Sequence, residues 1–425
     1  MQLMLAYGTT GLAVEVPDDA VVVEPVEPAA LADEAGAIRQ ALWSPVSGPP
    51  LAGLVRGGPR VAVVFPDLTR PMPNTTVLPP LLDELERAGA GPERVELLCA
   101  TGTHRQSTPA EMSDLVGARI MDRYRIHDHD SGDPSHVKVG EVGGTPVLLD
   151  RRYVEADVRI VTGFVEPHFF AGWSGGPKAV CPGLAGTETI LEAHSPARLA
   201  DARSSWMITE GNPVHEFVTA ATALCPPDLS VDVTIDSQRH LTAVFAGPLP
   251  SGHRAACAFA ADTVTSTVEG RFDVVVTTNG GHPLDRNLYQ AVKGMAAAER
   301  VVAPGGVIIL AAACGDGLPS DGAFARIVGE ATSAEELIRP RGPGQLDGWQ
   351  AQVLGRVLGH AEVWIYAEGL TDHEARRALL TPVHDLNAAV AAALDGQGPG
   401  ARLCVLPHGP LTVATATPTG TGATT

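Results

Sequence analysis

Three short polar motifs interrupt apolar runs in the first half of the chain, and each holds side chains suited to proton transfer or anion binding. They are Asp67-Leu-Thr-Arg70-Pro71, Thr101-Gly102-Thr-His104-Arg105 and Glu166-Pro167-His168. A fourth, Asn279-Gly-Gly-His282, follows an apolar run further along. Histidine titrates near neutral pH and so can act as base or acid, while Arg grips a carboxylate with a planar fork. Each motif also has a bland reading. Asp67 can cap a helix that Pro71 helps to start, and His104 taken alone is more often a turn or core residue. Gly102 beside it, at a strand end, shifts His104 towards a ligand-facing loop.

The densest segment is Phe169-Phe170-Ala-Gly172-Trp-Ser174-Gly175-Gly176-Pro177-Lys178. It resembles a phosphate-cradling loop but departs from GxxxxGK[ST], because Pro177 precedes the lysine and Ala179 follows it. Only three of the 30 basic residues are Lys, namely Lys138, Lys178 and Lys293. A lysine inside a motif of so Arg-rich a chain is a candidate for amine chemistry, acylation or imine formation, that a guanidinium does not perform. Its bland reading is a simple anion-binding lysine. His194, sixteen positions on, can be a lone metal ligand if a cofactor supplies the others, or a capping histidine. Gln290 and Lys293, three apart on a predicted helix, share one face. Cys181 reads as packing.

These residues need a scaffold that brings strand ends together. Val61–Phe65, Val95–Ala100, Val158–Val161 and Val231–Ile235 read as buried strands, with helices over Leu78–Arg87 and Val214–Leu224. A second set runs Phe272–Val276, a helix from about Asp285 to Arg300, Val307–Ala313 and Val363–Tyr366. The pattern predicts an α/β protein of two domains, 1–268 and 269–414, with largely parallel sheets around an inter-domain active-site cleft. The run Arg402–Leu406 can add a late strand to either domain, and 415–425, built only of Ala, Thr, Pro and Gly, is expected to be a disordered tail.

Composition narrows the partners. The 425 residues are 44% hydrophobic and 19% charged, as in a folded globular protein. The net charge of −19 argues against nucleic acid and anionic membrane. No apolar run reaches the ~20 residues a bilayer requires. The six cysteines lack a CxxC pair, as expected of reduced thiols, and the first twenty residues hold no basic residue, unlike a secretory leader. A cytoplasmic location is the resulting expectation. No GxGxxG fingerprint follows a strand, which disfavours a standard dinucleotide-dependent dehydrogenase.

Taken together, DLTRP at 67–71, GTHR at 102–105, HFFAGWSGGPK at 168–178, His194 and LYQAVKG at 288–294 resemble the lactate racemase family, nickel-pincer-dependent 2-hydroxyacid racemases and epimerases. The resemblance runs from about Gly8 to Gly294 and is looser beyond. It implies two α/β domains and a nickel-pincer nucleotide, a pyridinium mononucleotide whose thioacid sulfurs and ring carbon hold nickel. It implies further that Lys178 tethers this group through a thioamide, that Thr69, Ser174, Gly175 and Gly176 line its site, and that His194 is the nickel ligand. His104 and His168 become the acid–base pair, Arg70 and Lys293 the carboxylate clamp, and Asp67 and Gln290 orienting groups. Cofactor-maturation proteins are the implied partners, with a 2-hydroxy acid as substrate and the oligomeric state left open.

The chemistry accounts for these residue types. Removing the C2 proton of a 2-hydroxy acid builds charge beside a carboxylate, so loss of hydride together with the hydroxyl proton, through a flat 2-keto acid, is the easier route. Two readings stand beside this one: a Schiff-base lyase using Lys178, and a non-catalytic binder of the nucleotide. Within the family lactate, malate, aryl-lactates and sugar acids all remain open as substrates.

Overall fold

The run Val61-Ala-Val-Val-Phe65 has no polar face to turn to water, and it becomes the strand Val61–Pro66 inside a six-stranded sheet. In the computed structural model, which describes residues 1–26, 28–319, 322–339 and 345–417, the order across that sheet is Leu241–Gly247, Leu229–Ile235, Val158–Phe164, Val61–Pro66, Val95–Ala100 and Arg125–Asp128. All neighbours are parallel except Leu241–Gly247, which runs antiparallel to Leu229–Ile235. Alternate residues serve opposite faces. Val61, Val63 and Phe65 pack with Leu78, Leu81, Leu82 and Leu85 of the helix Asn74–Arg87, whereas Ala62 and Val64 pack with Val180, Leu184 and Phe217.

Chain order sets where a ligand can enter this sheet. From Val61–Pro66 the chain goes to Val95–Ala100 on one side, and later to Val158–Phe164 on the other. The loops leaving the carboxyl ends of Val61–Pro66 and Val158–Phe164 therefore diverge, which makes the crevice between them the switch point of the sheet.

A second unit has its own six-stranded sheet, all parallel, in the order Thr381–Val383, Glu362–Tyr366, Val302–Ala311, Phe272–Thr278, Leu403–Leu406 and Val21–Val22. This unit comprises Met1–Val26 and the chain from Val264 onward, and the first unit runs from Glu27 to Thr263. The α/β class and the two domains match expectation. The assignment of all of 1–268 to one domain does not match this division, because the hairpin Gln2–Leu5 and Leu12–Glu15 supplies Leu5, Tyr7, Val14 and Val16 to the core of the second unit. The late strand at 403–406 also belongs there, beside Phe272–Thr278. Of the supposed tail at 415–425, residues 415–417 lie in the strand Val413–Thr417, which pairs with Thr265–Glu269, and the Arg300 guanidinium donates to the Ala414 carbonyl and to Thr415 Oγ1. Backbone pairing thus orders 415–417 without side-chain burial; residues 418–425 lie outside the described residues. Among the described residues no helix is long and apolar enough to cross a membrane.

If the first 26 residues complete the second unit's core, Leu5→Ala removes a fully buried side chain from it and should cost ~2–5 kcal/mol. Limited proteolysis with fragment mapping should then show new cleavage between 264 and 417, and new cleavage confined to 28–263 would contradict the division.

Candidate active site

The Asp67 carboxylate, 4% exposed, stands one residue past the strand Val61–Pro66. Its Oδ1 accepts from the Thr69 amide (3.2 Å) and hydroxyl (2.7 Å), closing a turn within the motif. The next helix begins only at Asn74, so Asp67 is no helix cap. Its Oδ2 accepts from His104 Nδ1 at 2.7 Å. A carboxylate only accepts, so the His104 ring proton lies on Nδ1 and the neutral ring keeps a lone pair on Nε2. Burial alone would raise the Asp67 pKa, but the facing His104, the bonds from His104 and Thr69, and the Arg70 charge hold it below the ordinary value. Arg70 Nη1 lies 3.5 Å from Glu166 Oε1, which ties the first motif to the third.

His168, 5% exposed, has the opposite arrangement. Its Nδ1 accepts from the Phe170 and Ala171 amides at 3.5 and 3.3 Å, so in the neutral ring the proton is on Nε2. The two candidate acid–base histidines are thereby held in opposite tautomers.

Phe170 gathers the remaining groups of this unit. Its ring centroid is 4.5 Å from that of His168 and 5.4 Å from that of His194, and Lys178 Nζ lies 5.7 Å from it. His194 closes the helix Thr187–Ala193, and its Nδ1 donates to the Ile190 carbonyl at 2.8 Å, leaving the lone pair on Nε2. Lys178 lies in a one-turn helix, Gly176–Ala179, entered through Gly175 and Gly176 at φ +74° and +50°. Side chains rarely adopt that backbone, which is why glycines stand there. Ser174 Oγ donates to the Phe164 carbonyl at 2.8 Å and accepts from the Glu166 amide at 2.9 Å, so the loop is fastened to the end of its own strand.

In the second unit, Lys293 Nζ donates to Gln290 Oε1 at 2.6 Å on the helix Leu288–Ala298, which Asn287 caps by accepting from the Gln290 amide. The pairing on one helix face is as expected. Asn279 serves the scaffold, since its amide nitrogen donates to the Leu284 carbonyl and its oxygen accepts from the Gly294 amide, tying strand end to helix.

The first unit thus brings together Asp67, Thr69, Arg70, His104, His168, Ser174, Gly175, Gly176, Lys178 and His194. Sequence reasoning missed Glu166 as the Arg70 partner and Phe170 as the ring shared by three site residues, though both stood in the motifs. It also missed Asp232, His215 and His253. No Cys-rich or acidic pattern marks them. Among the described residues no group of three or more His, Cys, Asp or Glu is placed to hold a metal. A metal here would take His194 as its protein ligand and the rest from an organic group, which fits the tautomer that His194 adopts.

One buried and one half-buried histidine, His194 and His215, set an acid limit. Burial lowers the His194 pKa from 6.5 to about 4, with Lys178 adding to the effect and the bond to Ile190 opposing it. Burial likewise lowers His215 to about 4, helped by His253 and Lys178 and opposed by a bond to the Ala171 backbone. Each binds a proton more readily in the unfolded chain, so stability is intact above pH 6.5 and is lost as pH falls from there towards 4. In metal-free protein the melting temperature should drop across that window, and drop less in His215→Gln. An equal drop in parent and variant would contradict the assignment to His215.

Family models for the lactate racemase N-terminal and C-terminal domains match residues 7–206 and 268–414. The lactate racemase of Thermoanaerobacterium thermosaccharolyticum is 31% identical over 422 residues, 95% of this chain and 97% of that one. That of Lactiplantibacillus plantarum is 33% identical over 383 residues, 88% of this chain and 89% of its own. The solved lactate racemase apoprotein from T. thermosaccharolyticum superposes with a TM-score of 0.90 at 31% identity, covering 97% of this chain and all of that one. A Thermotoga maritima protein superposes at 0.70 with 18% identity over 93% of this chain and all of its own, a likeness of fold alone. Identity of this extent over nearly the whole length, on a chain whose strand ends gather the same motifs that suggested the resemblance, establishes that the chain belongs to the lactate racemase family.

Proposed function

We propose that this isomerase inverts the C2 stereocentre of a 2-hydroxy acid, with lactate as first candidate, and that it works with a nickel-pincer nucleotide. The observation that carries the reading is the Phe170 ring, against which an acid–base histidine, an amine and a histidine with its Nε2 lone pair all pack. Lys178 would hold the group through a thioamide, with Thr69, Ser174, Gly175 and Gly176 lining its site, and His194 Nε2 would ligate the nickel. When bound, the group supplies a reversible hydride acceptor.

The protein's own part is to hold the acid and move the hydroxyl proton. Arg70 and Lys293 would bind the carboxylate, and each brings a partner that keeps it in place, Glu166 and Gln290. His104 Nε2 takes the hydroxyl proton, and the Asp67 carboxylate behind it stabilises the imidazolium that forms. His168, with its proton on Nε2, presents a donor to the same oxygen. Each histidine would serve one enantiomer as base and the other as acid, His104 from the tautomer it adopts here and His168 once its ring proton has moved from Nε2 to Nδ1, and each such role contributes ~10²–10⁴-fold. The neighbouring Phe169 and Phe170 rings exclude water from His168 and so favour return of the proton to substrate. The six cysteines are all free thiols, in keeping with a cytoplasmic setting where maturation proteins would supply the cofactor.

Protein made together with those maturation proteins should carry nickel and a mass increment mapping to Lys178. His194→Ala should lose the nickel, whereas His104→Ala and His168→Ala should keep it and lose inversion from both pure enantiomers by ~10²-fold or more. Metal content, peptide mass and chiral separation of product read these outcomes. Full activity with unmodified Lys178, or nickel loss in all three variants alike, would contradict the roles.

A further inference from the structure

A fully buried carboxylate, Asp232 at 0% exposure, and a buried histidine, His253 at 4%, lie beneath the glycine turn that presents Lys178, and nothing in the proton chemistry uses them. Asp232 sits mid-strand in Leu229–Ile235, opposite Gly163 of Val158–Phe164. Its Oδ1 accepts from the Gly176 amide at 2.9 Å, and its Oδ2 accepts from the Ser230 hydroxyl. His253, on the helix Ser251–Val264, donates from Nε2 to the Ser174 carbonyl at 2.8 Å. One acceptor and one donor thus take the two backbone groups that flank Gly175.

The fit is close enough to dictate the glycines. A Cβ on Gly163 would come 2.6 Å from Asp232 Oδ1, one on Gly175 2.8 Å from the same atom, and one on Gly176 would run into the His253 ring. All three positions lack a side chain where these two residues reach the backbone. The following backbone is fixed as well, since Thr222 Oγ1 donates to the Pro177 carbonyl at 3.0 Å and the Lys178 amide donates to the Gly175 carbonyl at 3.1 Å. A carboxylate taken out of water is costly, and the bonds from the Gly176 amide and Ser230 hydroxyl together with the neighbouring His253 offset only part of that cost, so that burial still holds the Asp232 pKa above the ordinary value. That cost is sustained at a point where the visible return is the shape of one turn.

We propose that Asp232 and His253 are positioning residues for the cofactor tether: by holding the Gly176 amide and the Ser174 carbonyl they fix the turn that sets the Lys178 amine where the cofactor is attached. This rests on the reading of Lys178 as the tether. Neither residue takes part in the proposed proton transfer, and their effect would reach the reaction through the lysine.

The test is the fraction of Lys178 that carries the adduct, by peptide mapping of protein made with the maturation proteins, alongside melting curves. His253→Phe keeps a ring of similar shape and removes the donor; His253→Gln restores a donor near the Nε2 position. Asp232→Leu removes the acceptor and Asp232→Asn keeps it. The Phe and Leu variants should show adduct lowered by about 10–100-fold, and the Gln and Asn variants should stay within a few-fold of the parent. Should Asp232→Leu fail to fold, the His253 pair reads the same turn. Folded His253→Phe with parental occupancy overturns this inference while leaving the tether intact. A parent protein with no adduct on Lys178 overturns the tether and the inference together.

Discussion

The site depends first on one buried carboxylate. Asp67 closes its own turn through Thr69 and reaches across to His104 on the loop after the neighbouring strand, so two strand ends are locked by a single side chain. A buried carboxylate costs several kcal/mol unless its lone pairs are occupied, and here Thr69 and His104 occupy them. The same contact decides which nitrogen of His104 is available for chemistry. Arg70, whose charge helps keep Asp67 ionised, is held by Glu166 from the strand on the other side of the switch point. Three loops are therefore coupled by charge, and the loop bearing His168 and Lys178 grows from the third.

Around this polar lock the environment is apolar, with a consequence for each group packed there. Phe170 stands against His168, His194 and Lys178, and burial keeps His194 neutral down to about pH 4. A neutral imidazole with its proton committed to a carbonyl is the form that ligates a metal. His104 is backed by a carboxylate, while His194 has a backbone carbonyl behind it. The proposed division into an acid–base histidine and a metal-ligating one rests on that difference.

Much of this was legible in the sequence, for a physical reason. Polar motifs placed directly after apolar β-branched runs fall at the carboxyl ends of parallel strands, and the fold is bound to gather them. Local patterns such as Gly175-Gly176 and the Gln290–Lys293 spacing carried their own geometry. What stayed hidden were residues whose neighbours look unremarkable. Asp232 in Val231-Asp-Val-Thr-Ile235 stands in an ordinary strand run with no motif around it, yet it faces Gly163 and the turn at Gly176. His253 lies in an Ala-rich helix, and its partner is 79 positions away. The return of the first 26 residues to the second unit, and the pairing of Val413–Thr417 with Thr265–Glu269, are likewise long-range matters that no local pattern announces.

The central claim is that a 2-hydroxy acid is inverted with its C2 hydrogen leaving as hydride while histidines manage the hydroxyl proton. Lactate deuterated at C2, supplied as one pure enantiomer in ordinary water to protein made with the maturation proteins, tests it in a single mass and chiral analysis. The account predicts that the opposite enantiomer forms with the deuterium retained at C2. Inversion with the label exchanged for solvent hydrogen, or no inversion of lactate or any other 2-hydroxy acid, would contradict it.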